Sequence, residues 1–268
     1  TPPSGYTLFC NEVNTALEFD GVDDYVNIPS VTLNKDSATM SFWFKASADF
    51  SSGYANRALL VGENKYQRAI YLRDIDGVGN YKIDGETDTN GEFFANTGEI
   101  INRSVWNNVV VTFSNGVATT YLNGVSADTR NINDNLTFQY IGGAEDVWLN
   151  GTIDEIRIYN RALTSQEISS LYNNTYANST GLVLYLKFNE LEGNTAIDSS
   201  TYGNNGTIYG AEYTTSTPFD EIEYATKLNS TYTNITKIYP SETLYVRCYM
   251  NVTRPNYLWP VKIYGKVE

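Results

Sequence analysis

Short runs in which apolar and polar residues alternate dominate the chain. The clearest lie at residues 39–45, 109–113, 119–122 and 153–159 and are rich in β-branched and aromatic residues, a composition typical of strands. Asn-Gly pairs between such runs supply the positive φ angles that tight hairpins need. The pattern predicts an all-β fold without alternating helices.

One short helix is predicted after residue 164. Thr164 and Glu167 have the spacing of a capping box, and Ile168, Leu171 and Tyr172 follow at intervals of three and four residues. The stretch after this helix, up to Gly181, is polar and rich in Asn and Thr. It predicts an exposed connection and an element boundary.

Length and composition agree with one large β-sandwich and a smaller β unit. The chain has 268 residues, of which 41% are hydrophobic and 14% aromatic, enough to bury a core. Its net charge of −13 disfavours nucleic acid and anionic membrane surfaces as partners. No apolar run approaches the roughly 18 residues of a membrane span, so direct membrane insertion by this segment is not expected. The start of the sequence has the character of a processed or truncated end.

An ordered series of segments resembles the laminin-G-like, or concanavalin A-like lectin, jelly-roll family. The segments are TALEFDGVDDYVNI at 15–28, SFWFK at 41–45, WNNVVVTFSNG at 106–116, YLNG at 121–124, IGG at 141–143 and NGTIDEIRIYNRALTSQEI at 150–168. The resemblance covers residues 15–172 and implies a two-sheet concanavalin A-like jelly-roll β-sandwich. It also implies binding of sugars, proteins or calcium at loop ends.

A further match lies out of order. Residues 181–211 resemble the segment that usually precedes the FDGVDDYV strand in this family, yet here they follow the helix. The prediction is that they fold back and complete one permuted jelly roll over residues 15–212. The alternative is a degenerate repeat. Residues 1–14 and 213–268 are then expected to form a small accessory β domain, in which 243–252 and 260–267 are strand-like.

The two cysteines lie near opposite ends of the chain. Cys10 and Cys248 each sit in a short alternating run. Four apolar residues are predicted on the same strand face as Cys248: Leu244, Val246, Met250 and Val252. A Cys10–Cys248 disulfide would close a very long loop and stabilise the fold by roughly 5 kcal/mol. The alternative is a pair of buried thiols.

Asn-x-Ser/Thr sequons support an extracellular or cell-surface location, as a disulfide does. They occur at Asn102, Asn135, Asn150, Asn173, Asn178, Asn205, Asn229, Asn234 and Asn251. A chain rich in Asn and Thr also produces such matches by chance, so they serve only as support.

Catalysis is not expected. The chain contains no His, which removes the usual general base and the His-dependent nucleophile arrangements. Asp154 and Glu155 are the obvious carboxylates for glycoside hydrolysis, but neighbours on a strand point to opposite faces. The Glu-x-Asp-x-x-Glu strand that glucanases of similar fold carry is also absent. Glu155 and Arg157 are predicted to form a solvated pair of little energetic value.

Calcium is the cofactor that the acidic residues suggest, in a structural role. Strict alternation puts Asp154 on the face of Ile156 and Ile158, and a carboxylate pointing inward needs compensation. A calcium site could combine it with further carboxylates from adjacent loops. These candidates are Asp20, Asp23, Asp24 and Asp198. The alternative is hydrogen bonding to backbone amides of the FDG turn, and the DIDG segment at 74–77 favours a turn over a calcium loop.

Aromatic residues are the other candidates for binding. Trp43 and Trp106 occupy positions that resemble core positions of the family. Trp148 lies between two glycine turns and is out of phase with Leu149, so an exposed ring could stack on a sugar. Three tyrosines in or beside a variable stretch could line a concave surface. They are Tyr54, Tyr66 and Tyr71.

Three functions fit this sequence. The first is a non-catalytic cell-surface adhesion module that binds glycans or surface proteins. The second is a structural subunit of a filament, pilus or surface layer that self-assembles through its terminal strands. The third is an accessory module of a secreted glycoside hydrolase.

Overall fold

A computed structural model describes twelve segments of the chain. They are residues 7–12, 14–47, 57–62, 68–74, 81–87, 91–94, 101, 103–144, 147–175, 178–219, 244–251 and 260–265. The chain divides into two compact units. One consists of Thr1–Asn14 with Phe219–Glu268, and the other is Thr15–Pro218.

The larger unit is a sandwich of two antiparallel sheets. The first sheet contains, in spatial order, β11 (Val125–Asn131), β10 (Val117–Leu122), β9 (Asn107–Ser114), β4 (Ser37–Ala46), β15 (Asn150–Tyr159), β2 (Ala16–Asp20) and β19 (Glu212–Thr214), with β16 (Leu182–Leu186) also on β15. The second contains β17 (Thr195–Ala196), β18 (Gly206–Tyr209), β3 (Tyr25–Leu33), β12 (Leu136–Ile141), β5 (Arg57–Val61), β6 (Arg68–Asp74), β7 (Tyr81–Thr87) and β8 (Gly91–Phe94). A short pair, β13 (Gly143–Ala144) and β14 (Val147–Trp148), lies beside them. The all-β jelly-roll prediction is confirmed.

The core fills the space between the two sheets. Period-two alternation turns Phe42 and Phe44 of β4 inward, and Val26 and Ile28 of β3 meet the same core from the second sheet. Phe138 of β12 is also fully buried there. Burial of each such side chain contributes about 1.5–3 kcal/mol, so the alternating pattern itself specifies which face of each strand turns inward.

The predicted helix is confirmed as α1 (Ser165–Tyr172). Thr164 is its N-cap, and Thr164 and Glu167 form the capping box. The guanidinium of Arg161 donates two hydrogen bonds, of 2.6 and 2.9 Å, to the carboxylate of Glu167. This interaction lowers the pKa of Glu167 to about 2. Ile168 and Leu171 pack in a small second cluster with residues of the first sheet. The helix therefore covers part of the outer face of that sheet.

Residues 181–211 contribute strands to both sheets. Strand β16 pairs with the second half of β15, and β18 pairs with β3. The backbone amide of Thr15 donates to Asn189 Oδ1 at 2.8 Å, which ties the start of the unit to this segment. Strand β15 consequently has β4 along one side and both β2 and β16 along the other.

The smaller unit contains a three-stranded antiparallel sheet. Its order is β1 (Thr7–Glu12), β20 (Leu244–Asn251) and β21 (Pro260–Gly265). These strands confirm the predicted strand-like character for the described residues 244–251 and 260–265. Cys10 and Cys248 lie directly opposite each other in the β1–β20 register. The disulfide between them stays a prediction, which this register supports.

Candidate functional site

A row of aromatic rings crosses the outer face of the second sheet. Tyr209 of β18 stacks on Tyr25 of β3 with ring centroids 4.5 Å apart and an interplanar angle of 15°. Beyond Tyr25, Trp148 lies at 6.1 Å and Tyr140 of β12 meets the ring edge-on at 5.8 Å. Tyr209 is 44% exposed, so the end of the row is open to solvent. We call Tyr25, Tyr140, Trp148 and Tyr209 the aromatic row.

Strand alternation explains why these rings point outward. Tyr25 precedes the buried Val26, Tyr140 precedes the buried Ile141, and Tyr209 follows the buried Ile208. Because successive side chains of a strand point to opposite faces, Tyr25 and Tyr209 must leave the core. Tyr140 has the same parity as the buried Phe138, and the register irregularity between them turns its ring outward. Register then aligns them, since Tyr209 lies directly opposite Tyr25.

Trp148 joins the row from β14, while its neighbour Leu149 is fully buried in the core. The prediction that Trp148 is out of phase with Leu149 is thus confirmed. Its ring is half-buried beside Tyr25. Whether it binds a sugar stays a prediction.

Polar side chains border the aromatic row along the same strands. Asn27 of β3 lies opposite Tyr140 and Thr207, and its Oδ1 accepts a 3.2 Å hydrogen bond from Gln139 Nε2. Thr207 is exposed, and Asn27 and Gln139 are half-buried. Flat apolar ring faces beside amide and hydroxyl groups suit a ligand that is apolar on its faces and rich in hydroxyls at its edge.

The acidic turn between β2 and β3 adjoins the row. Carboxylate oxygens of Asp20, Asp23 and Asp24 lie within 4.8 Å of one another. Asp24 Oδ2 accepts the amide of Asp20 at 2.8 Å, and Asp20 Oδ1 accepts the amide of Val22 at 2.7 Å. The predicted alternative placed Asp154 on the backbone amides of this turn, and it is wrong, because these amides are bound by the turn's own carboxylates and Asp154 Oδ1 accepts the amide of Glu155 at 2.8 Å.

The donor set fits a hard cation only in part. Burial raises the pKa of Asp24, and the nearby carboxylates of Asp20, Asp23 and Glu212 raise it further. A cation would relieve this repulsion, but three carboxylates fall short of the about six to eight oxygen ligands that calcium takes. Calcium binding stays a prediction for this turn.

Two of the predicted calcium ligands belong elsewhere. Among the described residues, the acidic group at the turn does not include Asp154 or Asp198. Asp198 instead accepts hydrogen bonds from the amides of Tyr185, Ser200 and Asn204, each at 2.8 Å. Asp198 therefore stabilises the loop between β17 and β18.

Gly210 brings the acidic turn against the aromatic row. It follows Tyr209 directly and has a φ of 76°, in the left-handed region that favours glycine. A Cβ atom at this position would collide with Asp24 Oδ1. The turn and the row therefore share one end of the second sheet.

The outer face of the first sheet carries a different group, at a β-bulge in β15. Register shifts between Asp154 and Arg157 relative to β4, and Glu155 has a φ of 56°. The extra residue breaks strict alternation. Ile156 lies in the main core, but Asp154 lies opposite Trp43 on the outer face. The prediction that Asp154 shares a face with Ile156 and Ile158 is wrong for this reason.

The predicted solvated pair is also wrong. Glu155 and Arg157 do form an ion pair, but their side chains are only 12% and 9% exposed. Tyr185 lies opposite Arg157 on β16, where its hydroxyl donates to Glu155 at 2.8 Å and its ring packs under the guanidinium. Tyr185 of β16 shields the ion pair from solvent. Removing either partner of this buried pair would therefore leave an uncompensated charge.

Burial raises the pKa of two carboxyl groups in this region, Asp154 and Glu190. Asp154 is 3% exposed, and burial together with the charge of Glu155 raises its pKa well above the ordinary value. Burial also raises the pKa of Glu190. Asp154 Oδ1 accepts the amide of Glu155 at 2.8 Å. These carboxylates face protein, and none of them adjoins the aromatic row.

The remaining predicted aromatic candidates differ in exposure. Tyr71 is 2% exposed, so its ring has no open face for a ligand, which corrects its predicted role. Tyr54 and Tyr66 lie outside the described residues. Trp43 is buried, but it stacks on Tyr172 at 5.7 Å on the outer face of the first sheet.

Trp106 was expected to pack in the core, but it is half-exposed and lies under Lys45 Nζ. It lies just before β9, outside the alternating part of the strand.

The described sequons lie mostly in turns and loops. This group contains Asn135, Asn173, Asn178 and Asn205. Asn150 and Asn251 lie in β15 and β20. Three others, Asn102, Asn229 and Asn234, lie outside the described residues, as do positions 75–77 of the DIDG segment. Glycosylation stays a prediction.

Sequence reasoning missed three rings of the row: Tyr25, Tyr140 and Tyr209. The signal was available, because each tyrosine adjoins a core residue on a strand. What the sequence did not show is the pairing of β18 with β3, which joins residues far apart in the chain.

The two antiparallel sheets of the larger unit form a lectin-like jelly-roll fold. A family model described as the concanavalin A-like lectin/glucanases superfamily matches residues 20–169. The chain belongs to this superfamily, as the sequence resemblance predicted.

Solved structures agree with the fold. A protein from Bacteroides ovatus described as carbohydrate-binding is 19% identical, with a TM-score of 0.55, covering 76% of this chain and 60% of its own. The chain thus spans less than two thirds of that protein. A heptameric SAP-like pentraxin from Limulus polyphemus is 14% identical, with a TM-score of 0.46, covering 60% and 83% of the two chains.

A third similar structure is the CBM40 of the Ruminococcus gnavus IT-sialidase, bound to α2,3-sialyllactose. It is 14% identical, with a TM-score of 0.38, covering 60% of this chain and 99% of its own. At 19% identity the likeness to the Bacteroides ovatus protein shows the fold alone, and the other two structures, with TM-scores below 0.5, carry no argument. No curated protein matches the sequence.

Proposed function

We propose that the chain is a non-catalytic glycan-binding module that works by adhesion outside the cell. The observation that carries this proposal is the aromatic row on the outer face of the second sheet. Sugar rings stack on aromatic faces through their apolar C–H surfaces, and the neighbouring Asn27, Gln139 and Thr207 can exchange hydrogen bonds with hydroxyls.

The carboxylates support a binding role over a catalytic one. Glycoside hydrolysis needs two carboxyl groups that flank one glycosidic bond and reach the substrate. Glu155 is paired with Arg157 and Tyr185, and Asp154 is buried against the backbone of the bulge. A substrate has no access to either group in this arrangement.

The extracellular setting rests on the sequons and on the Cys10–Cys248 register. In the part of the chain that the structure describes, no helix has the length and apolar character of a membrane span. Surface proteins as partners and self-assembly through the terminal strands stay predictions.

A glycan array followed by calorimetry tests the proposal. Tyr209→Ala and Trp148→Ala should each weaken binding of an array-selected glycan by roughly twofold to tenfold, since stacking contributes about 0.5–1.5 kcal/mol per ring. Tyr202→Ala is the matched control, because Tyr202 is 60% exposed on a loop outside the row. Absence of any glycan binding, or equal losses in the control, would contradict the proposed function.

A further inference from the structure

The end of the second sheet that carries the aromatic row is acidic. Tyr25 is joined directly to Asp24, and Gly210, the residue after Tyr209, packs on Asp24 Oδ1. The carboxylates of Asp20 and Asp23 cluster with that of Asp24 and are exposed. Consecutive Cα atoms lie only about 3.8 Å apart, so these charges fall within the screening length of roughly 8–10 Å from the row.

The first sheet adds negative charge at the same end. Glu212 lies opposite Glu18 in the β19–β2 pairing, and both side chains are exposed. Like charges that face each other across a sheet are unfavourable. Glu212 also interacts electrostatically with Asp24. Carboxylates from two sheets thus concentrate beside the row, at the end of the second sheet where Tyr25 and Tyr209 lie.

We propose, on the basis of the proposed glycan-binding function, that this acidic end selects glycans by charge. Sugars with a free ammonium group bind best, neutral sugars bind next, and sugars with a carboxylate bind worst. An ammonium gains from the carboxylates and from the faces of Tyr209 and Trp148, whereas an anionic sugar meets like charge. The net charge of −13 acts in the same direction at longer range.

The order of binding can be measured with matched probes. An array would carry oligomers of one β1,4-linked skeleton in three forms, namely glucose, glucosamine and glucuronate, together with lactose beside 3′-sialyllactose. Measurements run in a chelator at low salt and again at about 0.5 M salt. The expected result is a roughly threefold to tenfold step between successive charge classes at low salt, shrinking at high salt.

Variants locate the effect. Asp20→Asn with Asp23→Asn should reduce each step to less than about twofold while neutral binding is kept. Both side chains are exposed, so the fold is expected to tolerate the change. Asp36→Asn with Asp128→Asn is the control of equal charge, since Asp36 follows the end of β3 that is opposite Tyr25. The control should keep the full steps.

The outcomes separate the two proposals. Glycan binding that depends on Tyr209 and Trp148 without any charge order would contradict charge selection and leave the glycan-binding function intact. Stronger binding of the anionic forms, or equal effects of the two double variants, would also contradict it. If no probe and no other array glycan binds, the proposed function fails, and charge selection fails with it.

Discussion

The outer faces of the two sheets differ in the side chains that they carry and in how far these are exposed. On the first sheet, Asp154, Glu155 and Arg157 are covered by neighbouring strands and buried. On the second sheet, Tyr25 and Tyr209 stack in a row that stays open to solvent. Polar groups are buried on one face, and large rings are exposed on the other.

This contrast separates stability from recognition. A buried charge is held by its partners, so losing one partner costs free energy of folding. An exposed ring gains little from the fold and is available to a ligand. Substitutions on the first face should therefore change stability, and substitutions on the second should change binding.

The largest expected effect belongs to Arg157. Arg157→Met removes the cation that pairs with Glu155 and packs on Tyr185, leaving a buried carboxylate unpaired. We expect a loss of about 3–5 kcal/mol in the free energy of unfolding, measured by chemical denaturation. Arg130→Met is the control, because Arg130 forms an exposed pair with Asp128 and should cost less than about 1 kcal/mol. Equal losses would show that the first face is not a buried ionic group.

Asp154 should give a smaller effect of opposite sign. Its raised pKa means that the folded chain holds a proton that the unfolded chain releases above its ordinary pKa of 3.8. Stability conferred by this group therefore falls as the pH rises from about 4 toward the raised pKa. Asp154→Asn keeps the Oδ1 acceptor for the amide of Glu155 and removes the charge. It should be more stable at pH 7 by on the order of 1 kcal/mol.

Thermal unfolding across pH measures this difference. The advantage of Asp154→Asn should shrink as the pH falls toward the ordinary pKa of 3.8, and it should vanish below that pH, where the native Asp154 is protonated in both states. Asp36→Asn is the comparison, since Asp36 is half-exposed and forms a surface pair with Lys35. A constant difference between Asp154→Asn and the native chain at all pH values would count against a buried, protonated Asp154.

The smallest effect on stability is expected at Tyr209. Tyr209→Ala removes one stacking contact with Tyr25 from an exposed position, so it should lower the free energy of unfolding by about 1 kcal/mol or less. The same change should weaken glycan binding by roughly twofold to tenfold. If Tyr209→Ala instead unfolds the protein, the open face serves the fold, and the comparison between the faces breaks down.

Much of the fold follows from local pattern. The capping box of Thr164 and Glu167 predicted α1, and alternation predicted β4, β9 and β10. Among the described residues, alternation failed at the bulge of Glu155, because an extra residue reverses the faces that follow it. The error at Asp154 comes from that single residue, whereas the error at the Glu155–Arg157 pair comes from Tyr185 of β16, which packs on both side chains.

The candidate site was less accessible to sequence reasoning. Trp148 was identified, since its phase relative to Leu149 is local information. The stacking of Tyr209 on Tyr25 depends on residues far apart in the chain, and nothing in either local segment specifies which partner strand will lie beside it. Non-local pairing is decided by the whole sandwich.

The sequence by itself determined the class of fold, the family and the faces that most strands turn to the core, because period-two alternation and turn chemistry act over a few residues. The tertiary structure decided which outward side chains meet. Strand β16 buries the charges of β15, and β18 brings Tyr209 onto Tyr25. The physical reason is that burial and stacking depend on neighbours supplied by distant segments, and these neighbours exist only once both sheets have assembled.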